Sequence, residues 1–467
     1  MDRLYTDEES RLQTTDAHGN RVYIHPEDLS GRWKNRRLLV YWFLIGIYML
    51  LPWINYQGKQ TILIDIPNRE FSFFGLTFWG HDVPNLIFVL LGFVFLIGMI
   101  TSIWGRLWCG WACPQTVFLD SIFRKIESLV EGKSRQRMAL AKAAWSFEKI
   151  FKKSLKWILF TLVSLHIVHS FLGYFVGARK LFWISTQNPA ENWALFITML
   201  SLTAIVLFDF GWFREQFCII MCPYGRLQSI LMDGDSLAVA YDEKRGEPRK
   251  VFGVKNDNQG DCVDCHQCVR VCPTGIDIRR GLQMECIACT ACIDACDNIM
   301  EKLEKPKGLI RYTSENALSG NKAPSLRPRT IIYTLLLFVV LGVAFISISH
   351  IGDIKTIILR GNQDLYQTTA DGHIQNSYKV EFFYSGDLEK LVYMHVDPIH
   401  ADQVKLITAT SPFHLKAGRK RTANIFLQFK SEILKQGSFN TTLYFTEKPE
   451  FKNPFYTKEL TLVGPLK

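Results

Sequence analysis

The stretch Cys262-Val-Asp-Cys265-His-Gln-Cys268-Val-Arg-Val-Cys272-Pro273 has the spacing C-x2-C-x2-C-x3-C, and Cys286-Ile-Ala-Cys289-Thr-Ala-Cys292-Ile-Asp-Ala-Cys296 repeats it after 13 intervening residues. Two such runs in tandem are the bacterial signature for two [4Fe-4S] clusters, in which the fourth cysteine of each run serves the other cluster. The spacing therefore assigns Cys262, Cys265, Cys268 and Cys296 to one cluster, and Cys286, Cys289, Cys292 and Cys272 to the other. Three thiolates two residues apart can wrap three corners of a cubane, and the fourth corner must be met from another direction. Asp297 stands where a second proline is expected, but that proline shapes the chain and ligates nothing. Zinc is the competing reading. Zinc sites favour two C-x-x-C pairs, four ligands and a longer gap.

Working outward, all 12 cysteines of the 467-residue chain fall in four compact groups, and 1–108 and 297–467 have none. A disulfide-stabilised exported protein would scatter its cysteines, so the pattern speaks for ligand or redox chemistry in a reducing compartment. Hydrophobic residues make up 48% and the net charge is +10. The charges flank apolar blocks, as lipid headgroups require, and no basic–aromatic interleaving suggests nucleic acid.

Crossing a bilayer takes about 20 apolar residues as a helix. Five stretches qualify, at about 38–54, 86–104, 157–177, 193–213 and 331–349, several with tryptophan at an end. Lys and Arg set the orientation. Eleven lie in 105–156, against Lys59 and Arg69 in 58–85 and Arg179 and Lys180 in 178–192. The expected architecture is a multi-domain protein of a bacterial inner membrane. It comprises a cytoplasmic N-terminal segment 1–37, a helical bundle within 38–230, a cytoplasmic two-cluster ferredoxin-like insert and linker 231–330, a fifth span 331–349, and a periplasmic domain 350–467. Within this scheme, 125–156 reads as one amphipathic helix on the membrane surface or as a soluble helical hairpin. The runs Tyr378–Tyr384, Gln403–Thr408, Ala423–Phe429 and Thr441–Phe445 alternate and are β-rich, which predicts an antiparallel, immunoglobulin-like β-sandwich at the C-terminus.

The other four cysteines form a second repeat: Arg106-Leu-Trp-Cys109-Gly-Trp-Ala-Cys113-Pro114 and Arg214-Glu-Gln-Phe-Cys218-Ile-Ile-Met-Cys222-Pro223. Each copy follows a span that ends on the cytoplasmic side. Thiols at i and i+4 of a helix share one face, so two pairs could form a four-thiolate site. Arg106 and Arg214 could lower the thiol pKa. Soft thiolates suit Cu(I), zinc or an iron–sulfur cluster. The plainer reading is that cysteine is a small apolar residue tolerated in membrane helices. Two matched pairs with no stray cysteine favour function. His166 and His169 are the histidines inside a span, three residues apart. They suit metal or haem ligation, or interhelical hydrogen bonding.

With these motifs placed, the chain resembles the cytochrome c oxidase accessory proteins of the FixG/CcoG type in its five spans, two C-x3-C-P motifs, two-cluster insert and immunoglobulin-like C-terminus. Membrane ferredoxins of quinol and nitrous-oxide pathways share the span–C-x3-C-P pattern but differ in their terminal domains. The resemblance implies a metal-ion oxidoreductase that reduces Cu(II) to Cu(I) for assembly of a haem–copper oxidase, with Cys109, Cys113, Cys218 and Cys222 handling copper. The partners it implies are a cytosolic electron donor, a copper chaperone or transporter, oxidase subunits and the lipid bilayer. The alternatives are an electron conduit to a quinol or periplasmic redox enzyme, and a non-catalytic assembly scaffold. No Rossmann-type glycine fingerprint is present, so the electron donor is expected to be a separate protein.

Overall fold

The computed structural model describes residues 21–56, 58–79, 83–250, 259–321, 327–349, 354–361, 365–384, 389–416 and 420–465, together with His18. The chain forms two compact units. One comprises the described residues of Met1–Asn55, Gln60–Asp65 and Leu86–Ala344, the other those of Tyr56–Lys59, Ile66–Asn85 and Phe345–Lys467. The membrane helices and the cysteine-rich insert thus belong to one unit.

Among the described residues, four helices are long and apolar enough to cross a membrane: Ile87–Trp104, Phe147–Val176, Pro189–Phe213 and Pro328–Ser347. They coincide with the second to fifth expected spans. The first expected span lies in helix α1 (Arg32–Leu50), which is not one of the four. Arg32, Lys34, Arg36 and Arg37 occupy its opening turns. Helix α2 (Val83–Trp104) runs into the first thiol motif, on α3 (Leu107–Trp111) and α4 (Pro114–Phe118).

The basic stretch that follows is not one amphipathic helix. It is α5 (Arg124–Glu131) and α6 (Ser134–Lys142), then the start of α7 (Phe147–Val176). Gly132, at φ +88°, ends α5 in a conformation that glycine adopts without strain. Ser146 opens α7 by accepting a hydrogen bond from the Lys149 amide at 3.2 Å. After α8 (Ala178–Ser185), α9 (Trp193–Phe208) ends in a π-helical turn, Asp209–Phe213. The second thiol motif and α10 (Pro223–Leu231) follow.

Strand Ala238–Tyr241 pairs antiparallel with Ile310–Thr313 across the cysteine-rich insert. Part of 305–330, expected to be linker throughout, is therefore folded, because Leu309 and Ile310 close the insert's apolar core. The insert also caps α1. Asp294, on helix Ala291–Lys302, accepts the amides of Trp33 and Lys34 at 3.0 and 2.8 Å. A carboxylate here satisfies orphan amides and opposes the positive end of the helix dipole.

In the other unit, Ile354–Arg360, Ile374–Tyr384, Lys420–Phe429 and Val404–Thr408 form one antiparallel sheet, with the short Gln367–Thr368 beside Ile374–Tyr384. Phe413–Leu415, Lys390–Val396, Ser438–Thr446 and Tyr456–Val463 form the other. Strand Ile374–Tyr384 alternates as a half-buried strand must, sending Val380 and Phe382 inward to meet Phe413, Leu443 and Phe445. Buried Asn376 ties the sheets together by donating to the Val463 carbonyl at 2.8 Å and accepting from its amide at 2.7 Å. The expected sandwich is present.

Asp294→Ala would leave two amides at the start of α1 unpaired. We expect it to cost about 1–2 kcal/mol, read as an earlier thermal transition of the detergent-solubilised chain.

Candidate metal centres

The two cysteine runs adopt the same unusual backbone. Asp264 and His266 flank Cys265 at φ +49° and +54°, and Ala288 and Thr290 flank Cys289 at +52° and +62°. Left-handed geometry at non-glycine residues costs about 1 kcal/mol or more at each position, so surrounding contacts must hold both loops. Arg279, only 4% exposed, braces the first. It donates to Asp277 at 2.8 Å, reaches Asp264, and lies 2.9 Å from Nδ1 of His266.

Cys262, Cys265, Cys268 and Cys296 line one cavity, walled by Tyr241, Leu309 and Ile310. Cys272, Cys286, Cys289 and Cys292 line a second, to which Cys268 also contributes. The fourth cysteine of each run thus faces the cavity of the other. All twelve cysteines are free thiols. Burial pushes Cys268 and Cys272 up to about 11, and Cys286 and Cys296 up to about 12. Thiols so shifted must give up protons when they ligate iron. Among the described residues no three His, Cys, Asp or Glu side chains converge as they would on a single ion. A cubane does not ask for such a point, because its four thiolates cap four separate irons. Four soft donors around each buried, apolar-walled cavity fit a [4Fe-4S] cluster in donor type and number.

The paired thiols do not sit at i and i+4 of one helix. Cys109 lies on α3, but Cys113 is extended at φ −64°, ψ 125° and opens α4. Cys218 lies on a π-helical turn, Phe217–Met221, and Cys222 is extended at φ −70°, ψ 111° ahead of α10. Pro114 and Pro223 explain both breaks, since proline drives the residue before it out of helical geometry. The two motifs still come together. Arg106 donates to the Gly225 carbonyl at 3.0 Å. Cys109 donates to Gln228 Oε1 at 3.4 Å. Gln115 donates to Asp209 at 3.1 Å and to the Arg214 carbonyl at 3.2 Å. Burial raises the Cys109 thiol to about 12, with Cys113 and Cys222 near enough to add to it. Burial also raises Cys218, again with Cys113 and Cys109 beside it. The expected lowering by arginine is present at Cys109, from Arg106, and is outweighed there by burial.

The thiol motif rests on the second cluster loop. A Cβ on Gly110 would come within 2.5 Å of the Ala288 carbonyl oxygen, so glycine permits this approach. Trp111 donates to the Tyr312 hydroxyl at 3.1 Å, and Tyr312 donates to the Ala288 carbonyl at 3.0 Å.

Three family comparisons cover most of the chain. A 4Fe-4S binding domain matches 85–135, a 4Fe-4S dicluster domain matches 213–315, and the IG-like fold at the C-terminal of FixG matches 344–465. Both thiol pairs fall inside the iron–sulfur matches. Protein RdxB of Cereibacter sphaeroides is 39% identical over 392 residues, spanning 79% of this chain and 80% of that protein. The chain belongs to the FixG family. Nitrogen fixation protein FixG of Rhizobium meliloti is 39% identical over 313 residues, 64% of this chain and 59% of that protein. This FixG-type protein is accordingly a membrane-associated iron–sulfur protein suited to electron transfer.

Several residues of this FixG-type site carry no sequence signal. Glu127, buried on α5, lies 2.6 Å from Arg214, 3.3 Å from Arg137 and 3.5 Å from Lys156. Arg214 thus serves Glu127 rather than a thiol. Burial opposes ionisation of Glu127, yet Arg214, Lys156 and Arg137 hold its carboxyl at about 2. On α7, His166 is exposed and His169 half-buried. Among the described residues, no other His, Cys, Asp or Glu side chain joins them in a group that could hold a metal.

Gly110→Ala should drive the cluster loop from the thiol motif and destabilise the protein by about 1–3 kcal/mol, with iron lost on purification. Iron content and stability equal to wild type would contradict the contact. Glu127→Gln takes the carboxylate from buried Arg214 and Arg137, while Lys156 keeps Glu131 at 2.9 Å, and should cost about 3–5 kcal/mol at neutral pH. Because the folded-state pKa lies below the ordinary 4.5, the wild-type contribution is complete above that value and is lost as pH falls toward 2. Acid unfolding curves of the two proteins should therefore converge at low pH.

Proposed function

We propose that this protein passes electrons from a cytosolic electron-carrier protein to Cu(II), and releases Cu(I) for assembly of a haem–copper oxidase. The reading rests on one observation: the helix bearing Cys109 lies against the loop bearing Cys286 and Cys289. In this reading α1 is a fifth span, both cysteine systems face the cytoplasm of a bacterial inner membrane, and the sandwich faces the periplasm and docks a partner.

When bound, the clusters held by Cys262, Cys265, Cys268 and Cys296 and by Cys272, Cys286, Cys289 and Cys292 supply single electrons at low potential. Cys109, Cys113, Cys218 and Cys222 receive Cu(II) from a copper chaperone or transporter. The ion gains one electron and becomes Cu(I), and soft thiolates favour that product. Gln228, fully buried, steadies Cys109, and Gln115 ties the first motif to the second. Each motif offers one thiol from a helical turn and one from extended backbone; no three of these thiols converge as they stand, so binding copper draws them together.

A second reading, electron exchange with a membrane quinol, is favoured by an apolar cavity of about 490 Å³. It lies between α1, α7 and α9 and reaches Ala112 and Pro114 beside Cys113.

The test is Cu(II) reduction by anaerobically purified protein, followed with a Cu(I)-specific chelator. Cys109→Ser with Cys218→Ser should keep the iron and lose about a hundredfold in rate. Unchanged turnover in that variant removes the thiols from the reaction. Quinol oxidation without copper reduction selects the second reading.

A further inference from the structure

Two guanidinium groups span the boundary between the second cluster loop and the thiol motifs. Arg37, 4% exposed near the start of α1, donates to the Gly110 carbonyl at 3.1 Å and also to the Cys289 carbonyl. Its charge is met by Asp120 at 2.8 Å, and Tyr41 lies on the same guanidinium and on the Gly110 carbonyl. Arg106, at the start of the first motif, donates to the Cys286 carbonyl at 3.1 Å, to the Met284 carbonyl, and to the Gly225 carbonyl at 3.0 Å. Each arginine therefore holds one cluster-run cysteine by its own peptide and one thiol motif by its backbone. Arg37 takes the first motif, and Arg106 takes α10, the helix that the second motif opens.

We propose that Arg37 and Arg106 are positioning residues that fix the second cluster against the thiol quartet, and that Arg106 also sets how readily that cluster accepts an electron. The inference rests on the electron-transfer reading above and adds the residues that control it.

Chemistry selects arginine here. Bridging two loops at once needs donors spread across a rigid plane, which guanidinium has and ammonium lacks. Hydrogen bonds and charge around the ligating residues are among the levers that set a cluster's potential. Reduction adds a negative charge, so a cation on the Cys286 peptide stabilises the reduced state. Arg37 contributes mainly geometry, because Asp120 offsets its charge. Arg106 also acts electrostatically, because its guanidinium lies 3.1 Å from the carbonyl oxygen of the ligating Cys286.

The experiment uses the full chain, purified anaerobically and reduced with dithionite. A spectroscopically monitored redox titration gives each cluster's midpoint. Stopped-flow mixing with Cu(II) gives the rate at which one electron per copper leaves the protein. Arg106→Gln should make one midpoint more negative by about tenfold in the reduction equilibrium, about 59 mV for a one-electron couple. Arg106→Lys restores charge without the fork, so it should keep both midpoints yet slow reoxidation by about tenfold or more. An iron-replete Arg106→Gln protein with wild-type midpoints and rate overturns the proposal. If Arg106→Gln fails to retain iron, Arg106→Lys decides, and a wild-type reoxidation rate there overturns it. The midpoints are read before copper is added. A wild-type protein inert toward Cu(II) would therefore remove the copper reading while a shifted midpoint kept this one.

Discussion

The close approach of Gly110 to the Ala288 carbonyl is the contact on which the rest of the unit turns. It needs a residue without Cβ on one side and a loop held in left-handed geometry on the other. Neither is cheap alone. The loop is kept in shape by the Arg37, Arg106 and Tyr312 hydrogen bonds, and the helix by the proline break after Cys113. Asp294 then fastens α1 to the same insert. Helix α1, a thiol motif and a cluster loop are thereby fixed to one another by side chains that grip backbone groups.

Charge follows the same economy. The boundary region carries buried and half-buried cations that meet carboxylates or carbonyls: buried Arg37 with Asp120 and Arg214 with Glu127, and half-buried Arg106 with peptide oxygens that include those of Cys286 and Gly225. Buried cations are tolerated only where such partners exist. Of these, Arg106 places its charge against the Cys286 peptide, where it favours a reduced cluster.

Much of this was legible in the residues. The cysteine spacing grouped the eight insert thiols as the two cavities do, since a local motif reports local geometry. The apolar blocks located four helices, and the alternation of Ile374–Tyr384 marked a sandwich strand. Three things were not legible. The i, i+4 reading of Cys109 and Cys113 assumed a continuous helix, and proline overrode it. The strand Ile310–Thr313 hid in a segment punctuated by glycine and proline, because its partner lies far back at Ala238–Tyr241. Arg37, Gln115, Glu127, Gln228 and Asp294 make the contacts that join the motifs across long sequence separations, where spacing carries no information.

The central claim is that the insert encloses two iron cubanes beside the thiol quartet. Iron analysis and a low-temperature magnetic resonance spectrum of the whole protein, prepared without oxygen and reduced, test it most directly. The account predicts eight irons per chain and the spectrum of two magnetically interacting reduced clusters. A colourless, iron-free protein that still folds would contradict it.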